Sequence, residues 1–125
     1  MPTFAHADFV ARALDAFPEL AEDFEYDAAR PRMQLSAFAQ RLQRAKGAAD
    51  WAAYQRGIQL IAHLWDTADD SLAAGLRSTF MRELDFDGDR GPIAWAYLSA
   101  ELQRAWSVAR KHVDELTTPP RRAKT

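Results

Sequence analysis

The sequence predicts a single all-α domain, built as a bundle of about five main helices with a short extra helical segment after Pro18. Apolar residues recur at steps of three and four through most of the 125 residues, which is the spacing of one face of a helix. β-branched residues are sparse, and no alternation of apolar and polar residues is long enough for a sheet. A chain of this length can bury a core without disulfides or a structural metal, so we expect one helical domain over residues 1–116.

Pro18 separates the first two segments. We predict a helix over residues 4–17 with Thr3 as its cap, and a short segment over residues 18–26, because the residue before a proline avoids helical geometry. The inward faces are expected to hold Phe9, Val10, Ala13, Leu14 and Phe17 in the first segment, and Leu20 and Phe24 in the second.

Two longer helices are predicted next. One covers residues 33–46 and stops at Gly47, and the other covers residues 51–67 with Asp50 as its cap. Their apolar faces hold Leu35, Phe38, Leu42 and Ala45 in the first, and Trp51, Tyr54, Ile58, Leu60, Ile61, Leu64 and Trp65 in the second. The wider apolar face predicts that the second of these helices lies at the centre of the bundle.

The last two helices are separated by an acidic turn. Asp69 or Asp70 is expected to cap a helix over residues 71–84, and Pro92 suits the first turn of a final helix over residues 91–116. Their stripes are Leu72, Leu76, Phe80 and Leu84, and then Trp95, Leu98, Leu102, Ala105, Ala109, Val113 and Leu116. A helix as long as the last one needs the others to cover its stripe.

Charge is unevenly distributed along the chain. The formal net charge is −2, but residues 117–125 hold three basic residues and no acidic one, so the remainder is more strongly acidic. We expect residues 117–125 to be a disordered basic tail. The acidic body disfavours nucleic acid as a partner and favours a basic protein. Apolar runs fall short of the roughly 18 residues that span a bilayer, and cysteine is absent, so we expect a cytoplasmic protein without membrane contact.

The spacing of reactive residues indicates no catalytic or metal site. Asp85, Asp87 and Asp89 alternate as in a calcium loop, but Arg90 stands where that loop needs glycine and Ala96 where it needs a bidentate glutamate. The three histidines are far apart, and no serine lies in a nucleophile motif. We therefore expect no catalytic residue, no metal and no cofactor.

Two stretches are candidates for binding a partner. They contribute Glu22, Asp23 and Glu25 from an acidic run, and Tyr97, Glu101 and Trp106 from the final helix. Glu101 is either an exposed residue paired with Arg104 or part of an acidic and aromatic recognition face. Trp106 falls one position off the apolar stripe, so we predict that it lies on a binding surface.

Three short motifs resemble a known kind of protein. They are Phe17-Pro18-Glu19-Leu20, Gly91-Pro92 and Tyr97-Leu98-x-x-x-Leu102. Together they resemble a family of small bacterial all-helical proteins of unknown function, which is similar to the immunity proteins encoded beside polymorphic toxins. The resemblance covers residues 4–113 and implies that function lies in a surface that covers one toxin, with no catalytic residue.

The sequence and this resemblance together favour a non-enzymatic protein-binding module. Its most concrete form is an immunity protein that neutralises a cognate toxin, with a basic toxin domain as the protein partner. The alternative is a helical adaptor or regulator that acts through self-association. The oligomeric state is left open.

Overall fold

The structure is a computed structural model that describes the backbone of residues 3–117 and the side chains of residues 3–111. Seven helices occupy this part of the chain, which confirms the predicted all-α domain. They are α1 (His6–Ala16), α2 (Ala21–Tyr26), α3 (Pro31–Gly47), α4 (Trp51–Trp65), α5 (residues 70–83), α6 (Gly91–Ala96) and α7 (Ala100–Thr117). The tail predicted over residues 117–125 lies outside the described residues, apart from the backbone of Thr117.

The core forms around Phe38 in the middle of α3. Its ring centroid lies 5.4 Å from that of Phe9, 5.6 Å from Phe17 and 6.0 Å from Phe80, so one side chain joins α1, α3 and α5. All four rings are fully buried. Burial of this much aromatic surface is the main force that holds the helices together.

α3 is the central helix of the bundle. The prediction that the helix now labelled α4 lies at the centre is wrong. α3 packs against α1, α2, α4 and α5, whereas α4 makes its main contacts with α3 and α1. The sequence hides this because three polar residues of α3 are also buried. Each donates a hydrogen bond to another segment of the chain. Gln34 binds the Phe24 carbonyl, Ser36 binds the Glu83 carboxylate, and Lys46 binds the Asp85 carbonyl. Satisfied polar groups can be buried, which a count of apolar residues does not reveal.

The predicted caps of α4 and α5 are confirmed. The Asp50 carboxylate accepts a hydrogen bond from the Ala53 amide at 3.2 Å, and the Asp69 carboxylate accepts one from the Leu72 amide at 2.8 Å. Asp69 rather than Asp70 is therefore the cap of α5. A carboxylate at this position binds an amide that has no partner within the helix.

The end of α3 is a Schellman turn in which Ala49 takes the place usually held by glycine. The Asp50 amide donates to the Ala45 carbonyl and the Ala49 amide to the Lys46 carbonyl, which are the two bonds of that motif. Ala49 consequently adopts a left-handed backbone with φ of 56°. The helix runs from Pro31 to Gly47 rather than over the predicted residues 33–46, and Gly47, the predicted stop, is its last helical residue and not the left-handed one.

The predicted start of the first helix is wrong by two residues. The Phe4 amide donates to the Thr67 carbonyl and the Asp69 amide donates to the Phe4 carbonyl, both at 2.7 Å. These bonds keep Phe4 extended in an isolated β-bridge with Ala68, so α1 begins at His6 and Thr3 is not its cap. A long-range contact therefore outcompetes the helical preference of the local sequence.

The predicted final helix is also wrong, because it is divided in two. A turn at residues 97–99 separates α6 from α7, and the Ser99 hydroxyl accepts a hydrogen bond from the Leu102 amide at 3.2 Å. Ser99 thus caps a new helix inside the apolar stripe. Leu98 and Leu102 are nevertheless buried as predicted, because the stripe continues across the break.

α5 contains the other irregular feature of the bundle. Residues Asp70–Gly75 and Met81–Glu83 are α-helical, and Leu76–Phe80 between them form a π-helical segment. Such wide turns are rare within helices and often occur at functional sites. No helix within residues 3–117 has the length and apolar content that crossing a membrane requires.

Candidate binding face

Three aromatic side chains from α4 and the turn after α6 form a cluster at one end of the bundle. The rings of Trp51 and Tyr97 are stacked, with centroids 5.7 Å apart and planes 18° from parallel. Tyr54 meets both rings edge-on, at 5.6 Å and 5.9 Å. Trp51 was expected in the core but is only half-buried, as is Tyr97. Two large apolar rings are therefore held rigidly with part of their surface in solvent.

A second aromatic cluster joins the loop before α6 to α6 and α7. Phe86, Trp95 and Trp106 meet edge-on in all three pairs, with centroid distances of 5.0, 5.2 and 5.5 Å. The Trp106 indole donates a hydrogen bond to the Leu84 carbonyl at 3.0 Å. Trp106 is half-buried, and its buried part and hydrogen bond hold α7 against the residue that follows α5.

A shallow groove lies beside the stacked rings. Pro92, Ile93, Ala96 and Tyr97 line it, and its volume is about 490 Å³. Ile93 is 49% exposed although it stands on a well-formed helix. We call Trp51, Pro92, Ile93, Ala96 and Tyr97 the aromatic face.

Acidic residues adjoin the aromatic face in the chain. Asp87 and Asp89 lie in the loop before α6, and Glu101 lies in the first turn of α7, all three exposed. Within the described side chains, Glu101 and Arg104 form no ion pair. The Glu101 carboxylate is therefore exposed without an ion pair to Arg104.

The acidic residues predicted to bind a partner are exposed on α2. Two neighbours in the same acidic run are already paired, Glu19 with Arg41 at 2.7 Å and Asp27 with Arg30 at 2.8 Å. The hydrogen bond from the Arg41 guanidinium lowers the pKa of the Glu19 carboxyl. Glu22, Asp23 and Glu25 have no such ion pair among the side chains that the structure describes. Their charges are left uncompensated at the surface.

The structure does not bring the two candidate stretches together. The Gln34 amide binds the Phe24 carbonyl, which places α2 beside the first turns of α3, whereas Trp51 follows the opposite end of α3. Thirteen residues of helix separate Gln34 from Gly47, which is about 20 Å at 1.5 Å per residue. The three acids of α2 and the aromatic face are consequently separate surfaces.

The groups with acid–base chemistry are dispersed. The His6 ring is hydrogen-bonded to Gln34 at 2.7 Å, and the exposed His63 ring lies against Phe4 at a centroid distance of 5.6 Å. Burial raises the pKa of Tyr54, whose hydroxyl has no hydrogen-bond partner among the described residues. No group of three or more histidine, aspartate and glutamate side chains in the described region is placed to hold a metal ion.

Of the residues predicted on the final helix, Tyr97 lies in the aromatic face, whereas Glu101 and Trp106 do not line its groove, and Ile93 and Trp51 were not among the predicted site residues. Ile93 lies next to Pro92 and outside the apolar stripe. A single apolar residue outside a stripe is a signal that could have predicted this exposed position. The Trp51–Tyr97 stack joins residues 46 positions apart, so no local pattern reveals it.

Comparisons with known proteins give a family and nothing beyond it. No curated protein and no solved structure matches the chain. A family described as a domain of unknown function (DUF7674) matches residues 10–113, which is most of the chain, and the protein therefore belongs to that family.

Proposed function

We propose that the protein is a non-enzymatic protein-binding module, and most concretely an immunity protein that covers a basic toxin domain. The aromatic face is the observation that carries this proposal. Half-buried Trp and Tyr side chains on a rigid scaffold are the residues that most often dominate binding energy at interfaces. Ile93 adds an exposed apolar anchor beside them. A partner that covers this face removes apolar surface from water without any reorganisation of the helices.

The acidic groups supply the second part of the proposal. Asp87, Asp89 and Glu101 are exposed within a few residues of the aromatic face in the chain and would favour a basic partner over an acidic one. The uncompensated acids of α2 lie on a separate surface toward the other end of α3, and there they would speed the approach of a basic partner.

A growth assay tests the immunity proposal. The protein is co-expressed with each product of the genes that flank its own, and it should restore growth against one that is toxic. Ile93→Asp should abolish this protection, because a carboxylate in the apolar contact loses its solvation on binding. Met33→Asp is the matched control, since Met33 is 48% exposed on the first turn of α3 at the other end of the bundle. Equal protection by both variants would contradict a role for the aromatic face.

Association kinetics test the role of the acidic run. Replacing Glu22, Asp23 and Glu25 together by lysine should slow association with the toxin domain and leave the melting temperature nearly unchanged, because exposed charges contribute little to stability. Wild-type association should also slow as salt concentration rises. Rates insensitive to both changes would rule out long-range steering by α2.

Self-association would contradict this proposal and favour the alternative hypothesis of an adaptor or regulator. Sedimentation of the free protein should give the mass of a monomer. A dimer that Ile93→Asp dissociates would mean that the aromatic face is covered by a second copy of the chain.

A further inference from the structure

A polar cleft and an apolar groove meet beside the π-helical segment of α5. The cleft has a volume of about 310 Å³ and is lined by Ser78, Thr79, Arg82 and Glu83. The groove has a volume of about 380 Å³ and is lined by Arg77, Ser78 and Arg82 from α5 and by Ala105, Val108 and Ala109 from α7. Ser78 and Arg82 line both, so the two spaces adjoin at these side chains. None of these residues belongs to the aromatic face.

The cleft is rich in hydrogen-bond donors. Arg32 reaches across from α3, and its Nη1 donates to the Ser78 hydroxyl at 2.8 Å and to the Thr79 hydroxyl at 3.2 Å. The Ser78 hydroxyl in turn donates to the Ala74 carbonyl at 2.7 Å. The other guanidinium nitrogens of Arg32 and the whole guanidinium of Arg82 have no carboxylate within 4.0 Å among the described side chains. The Arg82 side chain therefore lines the cleft directly, and the Arg32 guanidinium binds two of the hydroxyls that line it.

Glu83 is the one acidic residue that lines the cleft, and its carboxylate already accepts a hydrogen bond from Ser36 at 2.6 Å. Arg82 and Glu83 balance each other in the lining, and the Arg32 guanidinium bound to Ser78 and Thr79 adds one positive charge at its edge. Guanidinium groups with neighbouring hydroxyls match the oxygens of a phosphate group.

The groove next to the cleft is apolar and open to solvent. Val108 is 70% exposed on α7, and the small side chains of Ala105 and Ala109 flank it one turn apart. An exposed apolar strip that leads into a positive cleft fits a ligand with an apolar part and an anionic end. The combined volume lies within the range of small-molecule sites.

We propose that this site binds a small organic phosphate that is free in solution, with its phosphate group between Arg32 and Arg82 and its apolar part against Val108. The Thr79 hydroxyl is placed to donate a further hydrogen bond to the phosphate. The π-helical segment makes the site possible, since it carries both Ser78 and Thr79 toward Arg32.

Titrations followed by amide NMR shifts of the full chain test this proposal. The probes are n-butyl phosphate and inorganic phosphate, each measured against sodium chloride at the same ionic strength. Butyl phosphate should bind at least tenfold more tightly, because each buried methylene contributes about fourfold. Equal affinity for the two probes, or shifts that sodium chloride reproduces, would overturn the site.

Substitutions assign the two halves of the site. Arg32→Gln and Arg82→Gln should each lower the affinity for both probes about tenfold or more. Val108→Ser should lower only the affinity for butyl phosphate. Glu83→Gln should raise the affinity for both probes several-fold, because the amide keeps an acceptor for the Ser36 hydroxyl and removes a negative charge. Arg44→Gln is the matched control on an exposed part of α3 and should change neither affinity.

Two results would refute the proposal even if binding is seen. Affinity that is unchanged in both arginine variants would place the anion elsewhere. Binding to vesicles that contain phosphatidic acid, without binding to butyl phosphate, would make the surface a membrane contact. Melting curves of the variants show that any loss of binding is not a loss of folding.

Discussion

Replacing Gly57 by alanine should destabilise the protein, although alanine is the better helix former. Gly57 is buried in α4, and a Cβ atom added there would lie 2.1 Å from one Leu42 methyl carbon and 3.1 Å from the other. Alanine gains about 0.8–1 kcal/mol over glycine within a helix. Forcing Leu42 to move in a packed core costs about 1–3 kcal/mol. We therefore expect a net loss of about 1 kcal/mol in the free energy of unfolding.

Gly47 provides the matched control for this substitution. It is also helical, but a Cβ atom added there would meet nothing within 4 Å. Gly47→Ala should consequently gain up to about 1 kcal/mol, so the two variants should differ by about 2 kcal/mol. Urea denaturation with an unchanged slope measures both free energies. Equal stabilisation by the two substitutions would refute the close approach of α3 and α4.

A double-mutant cycle separates packing from helix propensity. Leu42→Ala alone should cost about 2–5 kcal/mol, because it leaves a cavity in the core. In that background Gly57→Ala should become favourable, since its Cβ atom now occupies the vacated space. An unfavourable effect in both backgrounds would show that Leu42 is not the obstacle.

Three further predictions concern other parts of the fold. Ala49→Gly should stabilise the protein by about 0.5–1 kcal/mol in urea denaturation, because φ of 56° is unfavourable for alanine; a loss would contradict the left-handed turn. Leu102→Ala should cost about 2–5 kcal/mol, and an unchanged melting curve would contradict its burial in α7. The amide of Asp87 donates to the Asp85 carboxylate and lowers its pKa, so this stabilisation should be present above about pH 3.9 and lost as pH falls toward the lowered pKa. Asp85→Asn should remove that part of the acid sensitivity, and an unchanged pH profile would show that the hydrogen bond does not contribute.

The sequence predicted most of the fold because helices depend on local patterns. The apolar stripes of α3 and α4, the caps at Asp50 and Asp69, and the short segment after Pro18 are all where the pattern places them. Each of these features depends on residues within one or two turns of each other, so neighbours in the chain are sufficient to define it.

The errors occur where distant residues compete with local preference. Phe4 is held extended by Thr67 and Asp69, and the apolar stripe of the last helix did not reveal the break before Ser99. The candidate site shows the same division. The sequence predicted Tyr97 and Trp106 as site residues. Only packing shows that Tyr97 stacks on Trp51 and that Trp106 is hydrogen-bonded to the Leu84 carbonyl.

The sequence by itself determined the helical class, the helix registers and the acidic surface of α2, since periodicity and charge are local properties of the chain. The tertiary structure alone decided that α3 is central, that Ile93 lies exposed beside stacked rings, and that Arg32 meets the π-helical segment 46 residues away. These features depend on which helices come into contact. That choice results from the packing of all the apolar faces at once, so no single segment of the chain contains it.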